Sequence, residues 1–214
     1  MTLGIAIPTY SGHISNIKNL LDILQNSTVK PNKVSISCSS QSENIIFEGK
    51  YDFEIIVNIT EEYRNPSQNR NIAGSALDTD IISFIDGDDL PHFQRNEFIM
   101  ESFKYDDVIA LLHNYHQSPS INNEFLYNKY EKLNLMVNHI DTVYPNGYTG
   151  NKILNYDHAY HNAHLSIKRE VFNRIKYDEN QDILYREDTV YIKELVLNGN
   201  KISFISNKLS QYIK

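Results

Sequence analysis

Cysteine, basic residues and long apolar runs are all scarce in this 214-residue sequence. The single cysteine, Cys38, cannot form an internal disulfide, so a reducing compartment such as the cytoplasm is expected. Acidic residues outnumber basic ones by 27 to 20, and the formal net charge of -7 gives no electrostatic reason to expect a nucleic-acid partner. No apolar run approaches the ~20 residues that span a bilayer, and the N-terminus does not have the pattern of a signal peptide. We therefore expect no membrane segment.

Glycine and proline are also few, at eight and six residues, which excludes a collagen-like or low-complexity chain. Hydrophobic residues make up 41% of the sequence, so a chain of this length can bury the core of one domain. Strand-like apolar runs occur at 3–7, 34–38, 53–59 and 81–85. Helical patterns separate them at 14–24 and 65–77. This order predicts a single α/β domain with a mostly parallel central sheet flanked by helices.

The C-terminal half of the sequence has less regular patterns. Strands are predicted at 108–112, 163–167, 201–205 and 209–213. Helices are predicted at 123–137, 169–175 and 189–197, and a loop rich in proline and glycine at 144–155.

The most distinctive local feature is the acidic turn Asp86-Gly87-Asp88-Asp89, which directly follows an apolar strand. Ligands of open α/β sheets bind at the carboxyl ends of the strands, where this turn is expected. Mg²⁺ and Mn²⁺ prefer oxygen ligands, and Gly87 lets the backbone turn tightly enough for Asp86 and Asp88 to face one ion. The alternative is a solvated turn, since Asp and Gly are common turn residues.

Two other sets of polar residues have structural as well as functional interpretations. Asp188 precedes a predicted helix, so it is either a reactive carboxylate or an N-terminal cap. His158, His161 and His164 lie three residues apart, which fits a single helix face only loosely and disfavours a triple-histidine metal site. His164 alone is retained as a candidate third contact to a metal ion or phosphate.

Taken in order, several segments resemble the family 2 glycosyltransferases with the GT-A fold. Leu3 to Tyr10 is similar to the first strand and nucleotide-binding turn of that family, and Asp86-Gly87-Asp88 matches its Asp-x-Asp signature. The other similar segments are Asn69 to Gly74, Ser166 to Phe172, and Tyr185-Arg186-Glu187-Asp188. The resemblance implies a nucleotide-binding half at 1–91 and an acceptor-side half at 92–214. It also allows the chain to be the N-terminal module of a longer protein.

The resemblance assigns the donor-binding roles to the first half of the chain. The turn Pro8-Thr9-Tyr10 would line the nucleobase pocket, and Arg70 would lie near the nucleotide. Asp86 would sit toward the ribose and the metal, with Gly87 beside it, and Asp88 would ligate Mn²⁺ or Mg²⁺.

The chemistry implied by the resemblance is transfer of a hexose from a nucleotide sugar to a hydroxyl of a glycan or glycoprotein acceptor. Asp188 would be the general base, with Glu187 beside it, and a single displacement would invert the anomeric centre. UDP is the expected nucleotide, although residues 38–41 lack the acidic residue that family members often place against the base.

Two alternatives to this function remain open at the level of sequence. A nucleotidyltransferase that makes sugar nucleotides is disfavoured because residues 8–12 contain no basic residue. A non-catalytic module that binds a sugar nucleotide, a glycan or Ca²⁺ is disfavoured by the pair Glu187-Asp188.

Overall fold

A computed structural model describes residues 1–42, 47, 50–144, 149–151, 156–157, 162–180 and 186–213. Within them the strands are β1 Leu3–Tyr10, β2 Lys33–Ser39, β3 Glu54–Ile59, β4 Ile81–Phe84, β5 Leu90–Pro91, β6 Ala110–Ser118, β7 Leu135–Ile140, β8 Thr142–Val143, β9 Thr149–Asn151, β10 Tyr156–Asp157, β11 Ser166–Lys168 and β12 Ile202–Ile213. The α-helices are α1 Ile14–Gln25, α2 Pro66–Ser75, α3 Arg95–Ser102, α4 Asn123–Tyr127, α5 Arg169–Arg174 and α6 Glu187–Leu197. Short 3-10 helices cover Ser11–His13 and Asn162–His164.

The N-terminal part of the chain forms the parallel part of the main sheet, in the order β3-β2-β1-β4. Residues 3–9 of β1 are all buried, as expected for a central parallel strand that is covered on both faces. Ile5 and Ile7 belong to a core that includes the buried face of α1, whereas Ala6 packs in a second core with residues of α5 and α6. The predicted parallel α/β arrangement is therefore confirmed.

The C-terminal part continues the same sheet. Strand β11 lies antiparallel between β4 and β6, and β12 runs parallel to β6 and antiparallel to β5 and β7. A separate small sheet has the order β10-β9-β8. Since one sheet contains strands from both parts of the chain, the prediction of a single mostly parallel α/β domain is confirmed.

The prediction of a helix at 123–137 is wrong beyond Tyr127, because tertiary contacts replace the helical hydrogen bonds. The side chain of Gln94 accepts a hydrogen bond from the backbone N–H of Tyr130 at 2.6 Å and donates one to its carbonyl at 3.2 Å. Leu135–Ile140 then pairs with β12 as strand β7. Long-range pairing thus overrides the local pattern.

Other predicted boundaries also differ from the structure. The two strands predicted at 201–205 and 209–213 form the single strand β12, which keeps its pairing with β6 through register shifts between Ile205 and Gln211. The strand predicted at 163–167 begins only at Ser166, after a 3-10 turn, and α6 begins two residues earlier than predicted. Strand β9 interrupts the loop predicted at 144–155, part of which lies outside the described residues. In the described part of the chain, no helix has the length and apolar character needed to cross a bilayer.

Candidate active site

A cavity of about 620 Å³ lies at the carboxyl edge of the parallel strands. Its wall is formed by the ends of β1 and β2, the start of α2, the turn after β4 and the start of α6. Seven of the predicted site residues line it: Pro8, Thr9, Tyr10, Arg70, Asp86, Asp88 and Glu187. This volume lies within the range typical of small-molecule sites.

Arg70 joins two predicted site segments that are far apart in the sequence. Its Nη2 donates to Asp86 Oδ1 at 2.8 Å and Oδ2 at 3.1 Å, and its Nη1 donates to Glu187 Oε1 at 2.5 Å. The Arg70 residue is only 3% exposed. Burial alone would lower the pKa of Arg70, but the nearby negative charges, led by Asp86, outweigh it and hold the pKa above its usual range. Arg70 is therefore a permanent cation at the base of the cavity.

Helix α2 holds Arg70 in place through a well-formed N-terminus. The Asn65 side chain accepts a hydrogen bond from the backbone N–H of Gln68 at 2.9 Å, and the Gln68 side chain accepts one from the Asn65 backbone at 3.0 Å. This reciprocal capping box, with Pro66 at the first helical position, confirms the predicted helix start.

The acidic turn presents two carboxylates in different environments. Burial raises the pKa of Asp86 to about 6; Arg70 opposes this effect, while the charges of Asp88, Asp188 and Glu187 add to it. Asp88 has a side chain that is 39% exposed, and its Oδ2 lies 3.8 Å from Nε2 of His13. Asp88 is thus the carboxylate of the pair that is open to a ligand.

The fit of a divalent cation depends on these two carboxylates. Arg70 occupies both oxygens of Asp86, and among the described residues no group of three His, Cys, Asp or Glu side chains could hold a metal ion. One free carboxylate nevertheless suits Mg²⁺ or Mn²⁺, because such ions commonly take one or two carboxylates and complete their shell with substrate phosphates and water. Asp88 fits that role.

The acidic turn packs directly against the end of β1. The backbone N–H of Gly87 donates to the carbonyl of Pro8 at 3.2 Å. A Cβ at Gly87 would lie 2.4 Å from Oγ1 of Thr9, so only glycine allows this approach. Tyr10 follows at the rim, 48% exposed, with its ring 4.3 Å from that of His13. Gly87 therefore fits the turn against the end of β1 and does not itself line the cavity.

The predicted base motif occupies the first turn of α6, and its two carboxylates are held differently. Glu187 faces the cavity and is 9% exposed, whereas Asp188 does not line it. Oδ1 of Asp188 accepts hydrogen bonds from the backbone N–H of Thr189 at 2.6 Å and from its hydroxyl at 3.2 Å. Since the helix begins at Glu187 with Arg186 as its N-cap, Asp188 is not the N-cap residue.

The structure does not bring His164 to the cavity. Its Nε2 is hydrogen-bonded to Asp89 Oδ2 at 2.6 Å and its Nδ1 to Ser210 Oγ at 2.9 Å, and all three residues are buried. The His164 ring stacks on that of His113 with centroids 5.1 Å apart. Both ring nitrogens are thus used inside the protein, where they link the acidic turn to β12. His158 and His161 lie outside the described residues.

Four residues that line the cavity did not stand out in the sequence: His13, Tyr63, Arg64 and Tyr212. The position of Arg64 could have been inferred from the sequence, because it directly precedes the predicted helix start at Asn65 and so lies at the same sheet edge as the turn after β1. No sequence signal marks Tyr212, because only the pairing of β12 with β6 brings this residue to the cavity.

Comparison with solved structures supports the fold. No protein-family model matches the chain, and no curated protein sequence matches it. The structure of S. aureus TarS 1-349 has a TM-score of 0.70 and 15% identity, and covers 100% of this chain and 60% of that one. TarS 1-349 in complex with UDP has a TM-score of 0.66 and 16% identity, and covers 100% of this chain and 61% of that one. Its complex with UDP-GlcNAc has a TM-score of 0.70 and 16% identity, and covers 100% of this chain and 59% of that one. The chain thus spans about three fifths of those structures, and the predicted GT-A-like fold is confirmed.

Proposed function

We propose that this chain is a glycosyltransferase that transfers a hexose from a UDP-hexose to a hydroxyl of a glycan or glycoprotein. The observation that carries the proposal is the position of Arg70, which is paired with both the Asp-x-Asp turn and the Glu187-Asp188 motif at one cavity. Two motifs that the sequence separates by about a hundred residues therefore serve one site. The UDP and UDP-GlcNAc complexes of the similarly folded TarS support the choice of donor.

Donor binding would use aromatic and acidic side chains of the cavity wall. Tyr10 and Tyr63 are exposed aromatic side chains on which a nucleobase could stack. Asp88 would hold Mn²⁺ or Mg²⁺, and the bound ion would supply positive charge beside the diphosphate leaving group. Arg70 pairs with both Asp86 and Glu187, so its positive charge offsets part of the negative charge that the diphosphate would meet.

Activation of the acceptor hydroxyl would fall to Asp188. Arg70 holds Oε1 of Glu187 at 2.5 Å, which leaves Glu187 poorly placed to accept a proton. Asp188 adjoins the cavity-lining Glu187, and its Oδ2, for which no hydrogen-bond partner is found in the part of the chain that the structure describes, would be the atom that accepts the proton. A carboxylate there would take the hydroxyl proton as the anomeric bond breaks, typically contributing ~10²–10⁴-fold to the rate. Attack from the face opposite the diphosphate would invert the anomeric centre.

The test is UDP binding by calorimetry with Mn²⁺ or Mg²⁺ and then with EDTA. We expect tighter binding with either ion in the wild type, and the same affinity with ion and with EDTA in Asp88→Asn. Asp107→Asn removes an exposed carboxylate away from the cavity and should behave as the wild type. Failure of the wild-type protein to bind UDP would contradict the proposed function. Equal UDP affinity in EDTA for the wild type would contradict the metal role alone.

A further inference from the structure

Arg95, the first residue of α3, is a fully buried arginine that does not line the cavity. Its Nη2 donates a hydrogen bond to the carbonyl of Phe84 at 2.8 Å, and its Nε donates to Nε2 of His113 at 2.9 Å. Burying a charged side chain costs free energy unless the surroundings compensate the charge. Packing alone would favour an apolar side chain at this depth, so the guanidinium is explained by the groups that it contacts.

His113 receives the guanidinium as a neutral imidazole. Its Nε2 accepts a hydrogen bond from Arg95, so the proton of the neutral ring is on Nδ1, which donates to the carbonyl of Asn114 at 2.9 Å. The His113 ring stacks on that of His164, which is hydrogen-bonded to Asp89. A stacked pair of rings therefore connects the acceptor of Arg95 to the partner of Asp89.

Arg95 and Asp89 also interact through their charges. Burial lowers the pKa of Arg95 to about 9, and the negative charge of Asp89 opposes this effect. Burial, followed by the charges of Asp86 and Asp88, raises the pKa of Asp89, and the positive charge of Arg95 opposes this rise. Nη1 of Arg95 and Oδ1 of Asp89 are both buried, and neither has a hydrogen-bond partner among the described residues. Each of these two groups therefore favours the charged form of the other.

The contacts of Arg95 lie on both sides of the acidic turn. Phe84 ends β4 two residues before Asp86, and Asp89 is the last residue of the turn. Within the turn, the backbone N–H of Asp89 donates to the carbonyl of Asp86 at 3.1 Å. A single buried side chain that holds both ends of such a short turn restricts the positions open to the residues between them, which include Asp88.

We infer that Arg95 is a positioning residue, which holds the acidic turn at the Phe84 carbonyl and at Asp89 and so keeps Asp88 in place for the metal ion and the diphosphate. This inference rests on the proposed function, because it assumes that Asp88 binds the donor through a metal ion. Arg95 acts through the turn and touches neither the ion nor the donor. Contacts that orient a metal ligand commonly contribute about 10- to 100-fold to metal affinity.

The first experiment is calorimetric titration of UDP with Mn²⁺ and in EDTA, using the wild type, Arg95→Met and Arg95→Lys. Ile99→Ala is the control, because Ile99 is fully buried on the same helix and does not line the cavity. In Arg95→Met, the ratio of UDP affinity with Mn²⁺ to that in EDTA should fall about 10- to 100-fold, with near-normal affinity in EDTA. Arg95→Lys keeps a charged donor and should restore part of the ratio. Ile99→Ala should lower the melting temperature and keep the wild-type ratio.

The second experiment is amide hydrogen exchange of the free protein, which needs no nucleotide. The backbone N–H groups of Gly87 and Asp89 are hydrogen-bonded to the carbonyls of Pro8 and Asp86. Both amides should lose protection in Arg95→Met, while the amides of β2 keep theirs, because the turn opens locally when its support is removed. In Ile99→Ala we expect no selective loss at the turn.

The other outcomes separate this inference from the proposed function. A wild-type affinity ratio together with wild-type exchange at the turn in Arg95→Met would overturn the inference, and so would an equal loss of the ratio in Ile99→Ala. If Arg95→Met does not fold, as judged by its melting temperature, Arg95→Gln removes the charge and is read by the same two measurements. Equal UDP affinity with Mn²⁺ and in EDTA for the wild type would overturn the inference together with the metal role. Failure of the wild type to bind UDP would refute the proposed function, whereas faster exchange at the turn in Arg95→Met would still show that Arg95 holds it.

Discussion

Ionisation of Asp86 should make the metal-free protein less stable as the pH rises. Burial, opposed by Arg70 and reinforced by the neighbouring carboxylates, raises the pKa of Asp86 from its usual 3.8 to about 6. Only 27% of the Asp86 side chain is exposed, so the loss of hydration of its carboxylate is the main cause of the raised pKa. One pKa unit corresponds to about 1.4 kcal/mol, so the ionised carboxylate lowers the free energy of unfolding by about 3 kcal/mol relative to the protonated one.

The direction follows from proton binding. Between the two pKa values the native carboxyl keeps its proton while the unfolded chain has lost it, so stability falls as the pH rises through that interval. Asp86→Asn cannot ionise and removes this effect. The difference in unfolding free energy, wild type minus Asp86→Asn, should therefore fall by up to about 3 kcal/mol between about pH 4 and about pH 7. Urea denaturation in EDTA at several pH values measures it.

Asp52 provides a control with the opposite sign. Hydrogen bonds from Lys30 and Gln25 lower the pKa of this exposed carboxyl, so the difference between wild type and Asp52→Asn should rise with pH. A difference for Asp86→Asn that stays constant or rises over the same range would refute the placement of a buried, partly compensated carboxylate beside Arg70.

Three further variants test other contacts at or near the cavity. Tyr10→Ala should weaken UDP roughly 3- to 10-fold in calorimetry and keep the metal dependence, since aromatic stacking contributes ~0.5–1.5 kcal/mol; unchanged affinity would remove Tyr10 from the base pocket. Gly87→Ala should weaken UDP by about 10-fold or more, because its Cβ would meet Oγ1 of Thr9 at 2.4 Å; normal binding would show that the turn can shift freely. His164→Asn should lower the free energy of unfolding by about 2–4 kcal/mol in urea and leave the metal dependence of UDP binding intact, whereas loss of that dependence would restore a metal role.

The sequence was sufficient for those features of the fold that depend on local pattern. The apolar run of β1, the amphipathic face of α1 and the capping box at Asn65 all specify their elements within a few neighbouring residues. The strand at 135–140 could not be predicted in this way, because it exists through pairing with β12, and Gln94 ends the helical pattern from another segment. Local propensity contains no information about such long-range partners.

At the candidate site, too, the sequence identified individual residues but not the long-range contacts between them. The sequence singled out Arg70, Asp86 and Glu187 as separate motifs, but their ion pairs depend on how α2 and α6 are placed against the sheet. The environment of His164 was equally invisible, because its partners Asp89 and Ser210 lie 75 and 46 residues away in the chain.

The most direct measurement of the central claim is the initial rate of UDP release from a saturating UDP-hexose by the wild type and Asp188→Asn. Acceptor glycans should be included, with donor hydrolysis as the substitute reaction, and UDP affinity and melting temperature should be recorded in parallel. We expect turnover by the wild type and a rate lower by ~10²-fold or more in Asp188→Asn, with near-normal UDP affinity and melting temperature. Wild-type turnover in Asp188→Asn would contradict its role as the base, and no UDP release by the wild type from any UDP-hexose tested would contradict the glycosyltransferase itself.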